Sequence, residues 1–385
     1  MTDGERPVGD PLRHHGDTEA GTGLLDFAVN VYAGDRPAWL ARALHAAIDQ
    51  SAPPGRARSL RTARAGVSAL TAATARAAGL LAGYAADRLL GDPRRWHPVA
   101  GFGAAANALE ARLYADTRAR GAVHAVILAG GAAALGVAAE RAAGRSPVAR
   151  AAVTAAATWL VLGGRSLDRE AAAVHARLAD GDLPGARGRL THLVGRDTSA
   201  PGPGEIARAV VESVAENTSD AVVAPLCWGA LCGVPGLLGY RAVNTLDAMV
   251  GHHNARYERY GWASARLDDL LNLPGARLAA LLTMAASPPR APVTWRVWRR
   301  DAAAHPSPNA GVVEAAFAGA LGVRLGGTNV YYSSRVEHRA VMDGGRPPEP
   351  RDIPRAAALA RRVGHGAAVT AAALATVRGL IQKSL

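Results

Sequence analysis

Three carboxylates recur at every fourth position in the stretch ARAVVESVAENTSD, residues 207–220. They are Glu212, Glu216 and Asp220, and on an α-helix this spacing places all three side chains along one face. Like charges arranged in this way repel each other by about 0.2–0.5 kcal/mol per pair. A divalent cation would remove the repulsion, and Mg²⁺ binds carboxylates together with water and phosphate oxygens. The pattern therefore predicts a magnesium site, to which Asn217 adds a neutral oxygen; the alternative is a plain polar helix face.

A matching group of polar residues follows in YRAVNTLDAM, residues 240–249. Arg241, Asn244 and Asp247 share one helical face by their spacing. Asp247 would extend the magnesium site if this segment and the acidic helix emerge on the same side of the apolar stretch between them.

That apolar stretch, residues 221–240, carries no side chain that is charged at neutral pH. Gly233, Pro235 and Gly236 lie near its middle and favour a break in the helix. Each half has about ten residues, which is too short to cross a hydrocarbon core of about 30 Å. We therefore predict a re-entrant or broken helical hairpin near 221–240, which returns the chain to the side from which it entered.

The rest of the chain alternates apolar stretches with long polar loops, and strand patterns are sparse. A transmembrane helix needs about 20 apolar residues. The stretches at 121–139 and 221–240 fit best, and weaker candidates lie at 67–90, 148–164 and 366–381. The predicted fold is an all-α, multi-pass integral membrane protein with long polar loops. The alternative is a soluble helical protein whose core is rich in alanine.

The chain carries a formal charge of +12, almost wholly from arginine, since Lys383 is the single lysine. Proteins that bind nucleic acid usually cluster basic and aromatic residues on one surface. Here the arginines are scattered among acids, so no nucleic-acid partner is predicted. A P-loop for ATP is excluded because its lysine must follow a glycine, whereas Lys383 follows Gln382.

Residues that suit the binding of phosphate or another anionic substrate occur in three loops, DRLLGDPRRWHPV, GRDTS and HPSPNAGVVE, and at the start of the 241–254 segment. Arginine matches phosphate and carboxylate geometry through its planar fork of donors. Each loop is equally typical of a capped helix end or a plain connection. The candidate substrate-binding residues are Asp92, Arg94, Arg95, His97, Arg196, Arg241, Asn309 and Glu314.

These loops, together with ARAVVESVAENTSDAVVAPL and YRAVNTLDAMVGHHNARYERYGWASARLDDLLNLPGARL, resemble in order and spacing the CobD/CbiB family of cobalamin biosynthesis proteins, the adenosylcobinamide-phosphate synthases. The resemblance runs from about residue 70 to the C-terminus and implies an integral membrane enzyme. It implies an ATP-dependent ligation that joins adenosylcobyric acid to (R)-1-aminopropan-2-ol, or to its phosphate, through an amide bond. The implied partners are these substrates, membrane lipid and other cobalamin-assembly enzymes.

Amide formation from a carboxylate needs an activated acyl group, and phosphoryl transfer from ATP needs Mg²⁺ and positioned cations. Under this hypothesis the metal ligands are Glu212, Glu216, Asp220 and Asp247, with Asn217 and Asn244 beside them in the catalytic site. Because ATP is cytoplasmic, the loops that bear the site would face the cytoplasm. The alternative is a corrinoid or small-molecule transport protein that uses the same spans without ligase activity.

The first 66 residues depart from this resemblance, so the predicted domains are a polar extension with a linker, 1–66, and a membrane enzyme domain, 67–385. Within the extension, LRHHGDTEAGTGLLDFAVNVYAGDRPAWLARALHAAID resembles the opening of the threonine-phosphate decarboxylases, which are pyridoxal-phosphate enzymes. The remainder of that fold and the Schiff-base lysine are absent. We therefore predict that the extension is not catalytic.

Overall fold

The computed structural model describes residues 73–92, 98–195, 197–330 and 336–384. All of these belong to a compact unit, Ala65–Leu385. The predicted extension, 1–66, lies outside the described residues. The same is true of four predicted substrate-binding residues, Arg94, Arg95, His97 and Arg196.

Helices make up almost all of the regular structure in the described part of the chain. In chain order they are α1 (residues 73–90), α2 (Pro98–Leu113), α3 (Arg118–Ala142), α4 (Pro147–Val161), α5 (Gly164–Ala179), α6 (Leu183–Leu190), α7 (Pro203–Thr218), a π-helical turn (Ser219–Val223), α8 (Ala224–Val250), α9 (Trp262–Ala286), α10 (Ala291–Asp301), α11 (Ala310–Leu321) and α12 (Asp352–Ser384), with short 3₁₀ turns at Pro288–Arg290 and Ala302–Ala304.

The helix starts follow from local sequence. The side chains of Thr117, Ser146 and Asp182 each accept a hydrogen bond from a backbone N–H in the first turn of the helix that follows. At the start of α7, the Glu205 carboxylate accepts from the N–H of Gly202 at 2.9 Å. Such caps satisfy backbone donors that a helix N-terminus leaves without intrahelical partners.

A sharp break divides α8 into two arms. Gly233 has φ 70° and ψ −149°, a conformation that a side chain disfavours, and Pro235 follows it. The N–H of Val234, which begins the returning arm, donates to Glu140 Oε1 at 3.0 Å. Glu140 lies near the end of α3, so the tip of the hairpin reaches that end of α3. The first arm continues α7 through the π-helical turn, and the returning arm is Val234–Val250.

Three helical stretches of the described residues are long and apolar enough to cross a membrane: Arg118–Ala142, Pro147–Ala179 and Pro203–Val250. A fourth span results if the bent pair Trp262–Ala286 and Pro288–Ala304, which turns by 108°, is counted as one. On α3 the side chains of Val126 and Leu135 are 66% and 65% exposed, as expected for a lipid-facing surface. The chain is an all-α membrane protein, as the sequence predicts, although the weaker candidates at 67–90 and 366–381 do not qualify over their described residues.

The helices pack around one main core. Every residue of α11 is buried, and α11 lies beside α7, α9 and α10. A two-stranded antiparallel hairpin, β1 (Arg324–Val330) and β2 (Val336–Asp343), follows α11. Its register shifts between Leu325 and Gly327, which marks a bulge. Sequence patterns did not predict this hairpin, and it forms one wall of the candidate site.

Candidate functional site

The two arms of the broken helix bring the predicted acids to one place. Tyr240, on the returning arm, donates a hydrogen bond to Asn272 Oδ1 at 2.6 Å, and its hydroxyl lies 3.1 Å from the carbonyl oxygen of Asp220. In a straight helix, Asp220 and Tyr240 would be about 30 Å apart. The contact therefore confirms the predicted hairpin, and Asp247 consequently lies within electrostatic range of Asp220 and Glu216.

Asp268, on α9, joins these acids. It lies within electrostatic range of Glu216, Asp220 and Asp247. Two amides fix its carboxylate: Asn244 Nδ2 donates to Oδ1 at 3.3 Å, and Asn272 Nδ2 donates to Oδ2 at 2.9 Å. We call Glu216, Asp220, Asp247 and Asp268 the acidic face. The sequence contains the pair Asp268-Asp269 in the right neighbourhood, but spacing alone does not connect it to α7.

Glu212 has a different environment from the other acids of its helix. It is 5% exposed, and its Oε1 accepts a hydrogen bond from the N–H of Gly326 in the β-bulge at 2.8 Å. Arg208, one turn earlier, donates to the carbonyl oxygens of Gly326 and Thr328. Glu212 therefore ties α7 to the β-hairpin.

A cleft of about 130 Å³ lies between α7, α11 and β2. Glu212 and Glu216 line it from α7, Glu314 from α11 and Arg339 from β2. Glu314 is 1% exposed, and its Oε1 lies 3.8 Å from His305 Nε2 and 4.0 Å from Arg339 Nη1. The cleft thus presents carboxylates together with a cation, which suits a small molecule that carries both charges.

The acidic ridge predicted from the four-residue spacing is interrupted. The π-helical turn begins at Ser219 and adds a residue per turn, so Asp220 does not continue the line of Glu212 and Glu216 into the cleft. Glu216 is exposed between the cleft and the acidic face. It is the residue that both surfaces share.

The chemistry of the acidic face fits Mg²⁺. Its donors are carboxylate oxygens, with the amide of Asn244 beside them, and Mg²⁺ prefers such ligands. Among the described residues, no three His, Cys, Asp or Glu side chains are placed so that they could hold a metal by themselves. Mg²⁺ usually takes only one or two protein carboxylates and completes its shell with water and substrate phosphates, so a nucleotide-bound ion remains compatible with this geometry.

Arg241 lies near both Asp92 and Asp220, a member of the acidic face. The Arg241 guanidinium is within electrostatic range of Asp92 and Asp220. Its Nη1 lies 3.5 Å from Asn244 Oδ1, which connects it to the amide that holds Asp268. Among the described residues, neither Arg241 Nε nor Asp92 Oδ1 has a hydrogen-bond partner, although both atoms are buried.

Two residues predicted to belong to the site, Asn217 and Asn309, use their side-chain amides in structural contacts. Asn217 Nδ2 donates to the carbonyl oxygen of Ser213 at 2.9 Å within its own helix. Asn309 accepts from Arg277 at 2.6 Å and donates to the carbonyl oxygen of Asp269 at 2.7 Å. Asn309 thereby anchors the start of α11 to α9, which places Glu314 at the cleft.

A further acid is Asp87, the first residue of the motif DRLLGDPRRWHPV, at the end of α1. It is fully buried, and its Oδ2 has no hydrogen-bond partner in the part of the chain that the structure describes. Burial raises the pKa of Asp87 to about 6, although the N–H of Arg165 opposes this from 3.5 Å. Asp87 lies at the N-terminus of α5, where a negative charge is favoured.

A sequence profile of the family described as CobD/Cbib protein matches residues 80–360. The chain belongs to the CobD/CbiB family. The match to this family spans α7, α8, α9 and β2, and therefore includes the whole acidic face and the cleft.

Curated members of the CobD/CbiB family align with most of the chain. The cobalamin biosynthesis protein CobD of Mycobacterium tuberculosis is 52% identical over 305 residues, which cover 78% of this chain and 96% of that protein. The CobD proteins of Geobacter metallireducens and Rhizobium meliloti are 46% and 41% identical, over 68% of this chain in each case and over 85% and 84% of their own lengths. No solved structure matches the chain.

Proposed function

We propose that this protein acts in cobalamin biosynthesis as an adenosylcobinamide-phosphate synthase. The reaction is the ATP-dependent formation of an amide between adenosylcobyric acid and (R)-1-aminopropan-2-ol or its phosphate. Family membership and the names of the relatives support the pathway. The observation that carries the chemistry is the acidic face, assembled by the contact between Tyr240 and Asp220.

The reaction requires two transfers. An oxygen of the substrate carboxylate bonds to the γ-phosphorus of ATP, and the bond from that phosphorus to ADP breaks. The amine nitrogen then bonds to the acyl carbon, phosphate leaves, and the nitrogen loses a proton. Mg²⁺ bound at the acidic face would neutralise the charge of the transferring phosphoryl group.

The chain's own residues have distinct proposed roles. One or two carboxylates among Glu216, Asp220 and Asp247 would hold the metal, with water and nucleotide phosphates as its other ligands, and Asn244 and Asn272 would orient Asp268 beside them. Glu212 was also predicted as a metal ligand. Its Oε1 already accepts a hydrogen bond from the N–H of Gly326, so we propose that this oxygen positions the β-hairpin. Arg94, Arg95 and Arg196 stay proposed phosphate ligands on the strength of their sequence motifs, with Asp92 and His97 as proposed substrate contacts.

The cleft suits the amine substrate. Its volume of about 130 Å³ is that of a small amino alcohol rather than of a corrinoid. Glu216 and Glu314 would attract the ammonium group, and Glu216 would receive a proton from the nitrogen when the amide forms. Arg339 would bind the phosphate of a phosphorylated amino alcohol.

The decisive experiment uses the purified full chain in lipid nanodiscs with adenosylcobyric acid, ATP and Mg²⁺. Aminopropanol and its phosphate are supplied separately, and the amide product and ADP are quantified by liquid chromatography and mass spectrometry. We expect product only when ATP, Mg²⁺ and one of the amines are all present. Substrate transport into sealed vesicles without any amide product would contradict the proposal.

The location of the site follows from the same hypothesis. Because ATP is supplied from the cytoplasm, we propose that the protein lies in the cell membrane with the acidic face open to the cytoplasm. Other enzymes of cobalamin assembly, which make the acid and the amine, are the proposed partners.

A further inference from the structure

An apolar cavity of about 220 Å³ lies between α2, α3, α4 and the returning arm of α8. Phe102, Leu135, Leu160 and Leu238 supply one wall from each of these helices, and the cavity is open on the side of Leu135, which is 65% exposed. Among the described residues that line it, Arg241 is the one that carries a charge. The hydroxyl of Thr245, which also lines the cavity, is used within its own helix, where it donates to the carbonyl oxygen of Arg241 at 2.8 Å.

The Arg241 guanidinium lacks a full set of partners. Its Nε is buried without a hydrogen bond to any described residue, and its contact with Asn244 Oδ1 is long at 3.5 Å. Asp92 and Asp220 act on it electrostatically without bonding to it. These acids supply opposite charge, but a buried cation also needs hydrogen bonds, so the open donors of Arg241 suit an anion carried on an apolar stem.

The position of Arg241 along its helix distinguishes between two sources of such an anion, a lipid phosphate and the carboxylate of a substrate. Arg241 is the eighth residue of the arm Val234–Val250, which places it about 10 Å from one end and about 14 Å from the other. A bilayer lipid keeps its phosphate outside a hydrocarbon core about 30 Å thick. A lipid phosphate would therefore meet the ends of these helices, whereas Arg241 lies well inside them.

We propose that Arg241 binds the carboxylate of the acid substrate, and that the apolar cavity receives the aliphatic chain that carries this carboxylate. The arginine fork pairs with both carboxylate oxygens. Through Asn244, Arg241 adjoins Asp268 of the acidic face, so the bound carboxylate lies next to the place proposed for the nucleotide phosphates. The inference rests on the proposed function, because that function names the acid.

The test measures binding of the acid without ATP or Mg²⁺, so that it does not depend on turnover. The full chain in nanodiscs of uncharged lipid is titrated with adenosylcobyric acid and, separately, with the analogue whose reactive carboxylate is a primary amide. We expect the acid to bind at least tenfold more tightly than the amide. Equal affinities, or no binding of the acid, would overturn the proposal.

Variants then locate the interaction. Arg241→Gln should weaken binding of the acid at least tenfold and leave binding of the amide unchanged, while Arg241→Lys should recover part of the loss. Leu160→Phe should weaken both ligands by filling the cavity without altering charge. Arg362→Gln, an exposed arginine that donates to the carbonyl oxygen of Ala286, is the matched control and should bind like the parent. Thermal unfolding of each variant shows whether it is folded.

The outcomes separate this inference from the proposed function. Product formation with unchanged acid affinity in Arg241→Gln would overturn the inference and leave the ligase function standing. Carboxylate-dependent binding that Arg241→Gln removes, in a protein that forms no product, would support the inference and contradict the function. Displacement of the acid from the parent protein by anionic lipid would show that the cavity is a lipid site and overturn the assignment.

Discussion

The hydroxyl of Tyr240 lies 3.1 Å from the carbonyl oxygen of Asp220, twenty residues earlier in the chain. This contact shows that α8 folds back at Gly233. It also explains how an acid before the segment and an acid after it, Glu216 and Asp247, come within electrostatic range of each other. The chemistry proposed for the site depends on this fold.

Replacing Tyr240 by phenylalanine removes the hydroxyl and leaves Asn272 Oδ1 without its donor. An unsatisfied buried acceptor costs about 1–3 kcal/mol, so we expect Tyr240→Phe to unfold at a lower temperature and to lose activity because Asn272 no longer holds Asp268 firmly. Tyr84→Phe is the control, since Tyr84 is also buried but its hydroxyl makes no hydrogen bond to another described residue. Equal unfolding temperatures for the two variants would contradict the role given to Tyr240.

Glu216 is exposed at the junction of the cleft and the acidic face. Glu216→Gln keeps the shape of the side chain but removes a charge that would bind metal and receive a proton, so we expect kcat to fall at least 100-fold with unchanged unfolding. The activity is measured as a function of Mg²⁺ concentration. Glu258→Gln, an exposed acid that pairs with His253, should behave like the parent. Full activity of Glu216→Gln would remove the residue from the mechanism.

Arg339 allows the two amine substrates to be distinguished. If it binds the phosphate of aminopropanol phosphate, Arg339→Gln should raise KM for that substrate about tenfold or more while KM for free aminopropanol changes little. Steady-state kinetics with both amines provide the comparison. A parallel rise for both amines would instead indicate that Arg339 acts by positioning Glu314, from which it lies 4.0 Å.

The β-bulge can be tested with two neighbouring glycines. Gly326 and Gly327 have φ values of 81° and 94°, so alanine is strained at both, by about 1–2 kcal/mol. At Gly326 a Cβ would in addition collide with the carbonyl oxygen of Ala340, whereas at Gly327 its nearest neighbour is Arg208 at 3.4 Å. We expect Gly326→Ala to lower the unfolding temperature clearly more than Gly327→Ala. The reverse order would contradict the close packing of the bulge.

Asp87 makes the free energy of unfolding depend on pH, and the direction of this dependence follows from its raised pKa. The folded protein binds a proton at Asp87 below about pH 6, whereas the unfolded chain does so only near pH 3.9. The folded state therefore gains stability as pH falls from 7.5 to 5, by about 1.4 kcal/mol, which corresponds to the one pH unit between the folded pKa and pH 5. Asp87→Asn should lose this part of the pH dependence, as measured by the difference in unfolding temperature between the two proteins at each pH. A constant difference would contradict the raised pKa.

Sequence reasoning succeeded where the signal is local. The break at Gly233 and Pro235, the spacing of Glu212 and Glu216 on one helix, and the best apolar spans all depend on residues within a few turns of one another. These features follow from helix periodicity and from the backbone preferences of glycine and proline.

The tertiary structure decided the rest. Asp268 reaches the acidic face from α9, Arg339 reaches the cleft from a strand that the sequence did not predict, and Gly326 engages Glu212 across more than one hundred residues. These pairings depend on how the helices and the β-hairpin pack around the buried α11. No local sequence pattern specifies which distant side chains this packing brings within hydrogen-bond distance. The residue types were therefore readable from the chain, while their grouping into a site came from long-range packing.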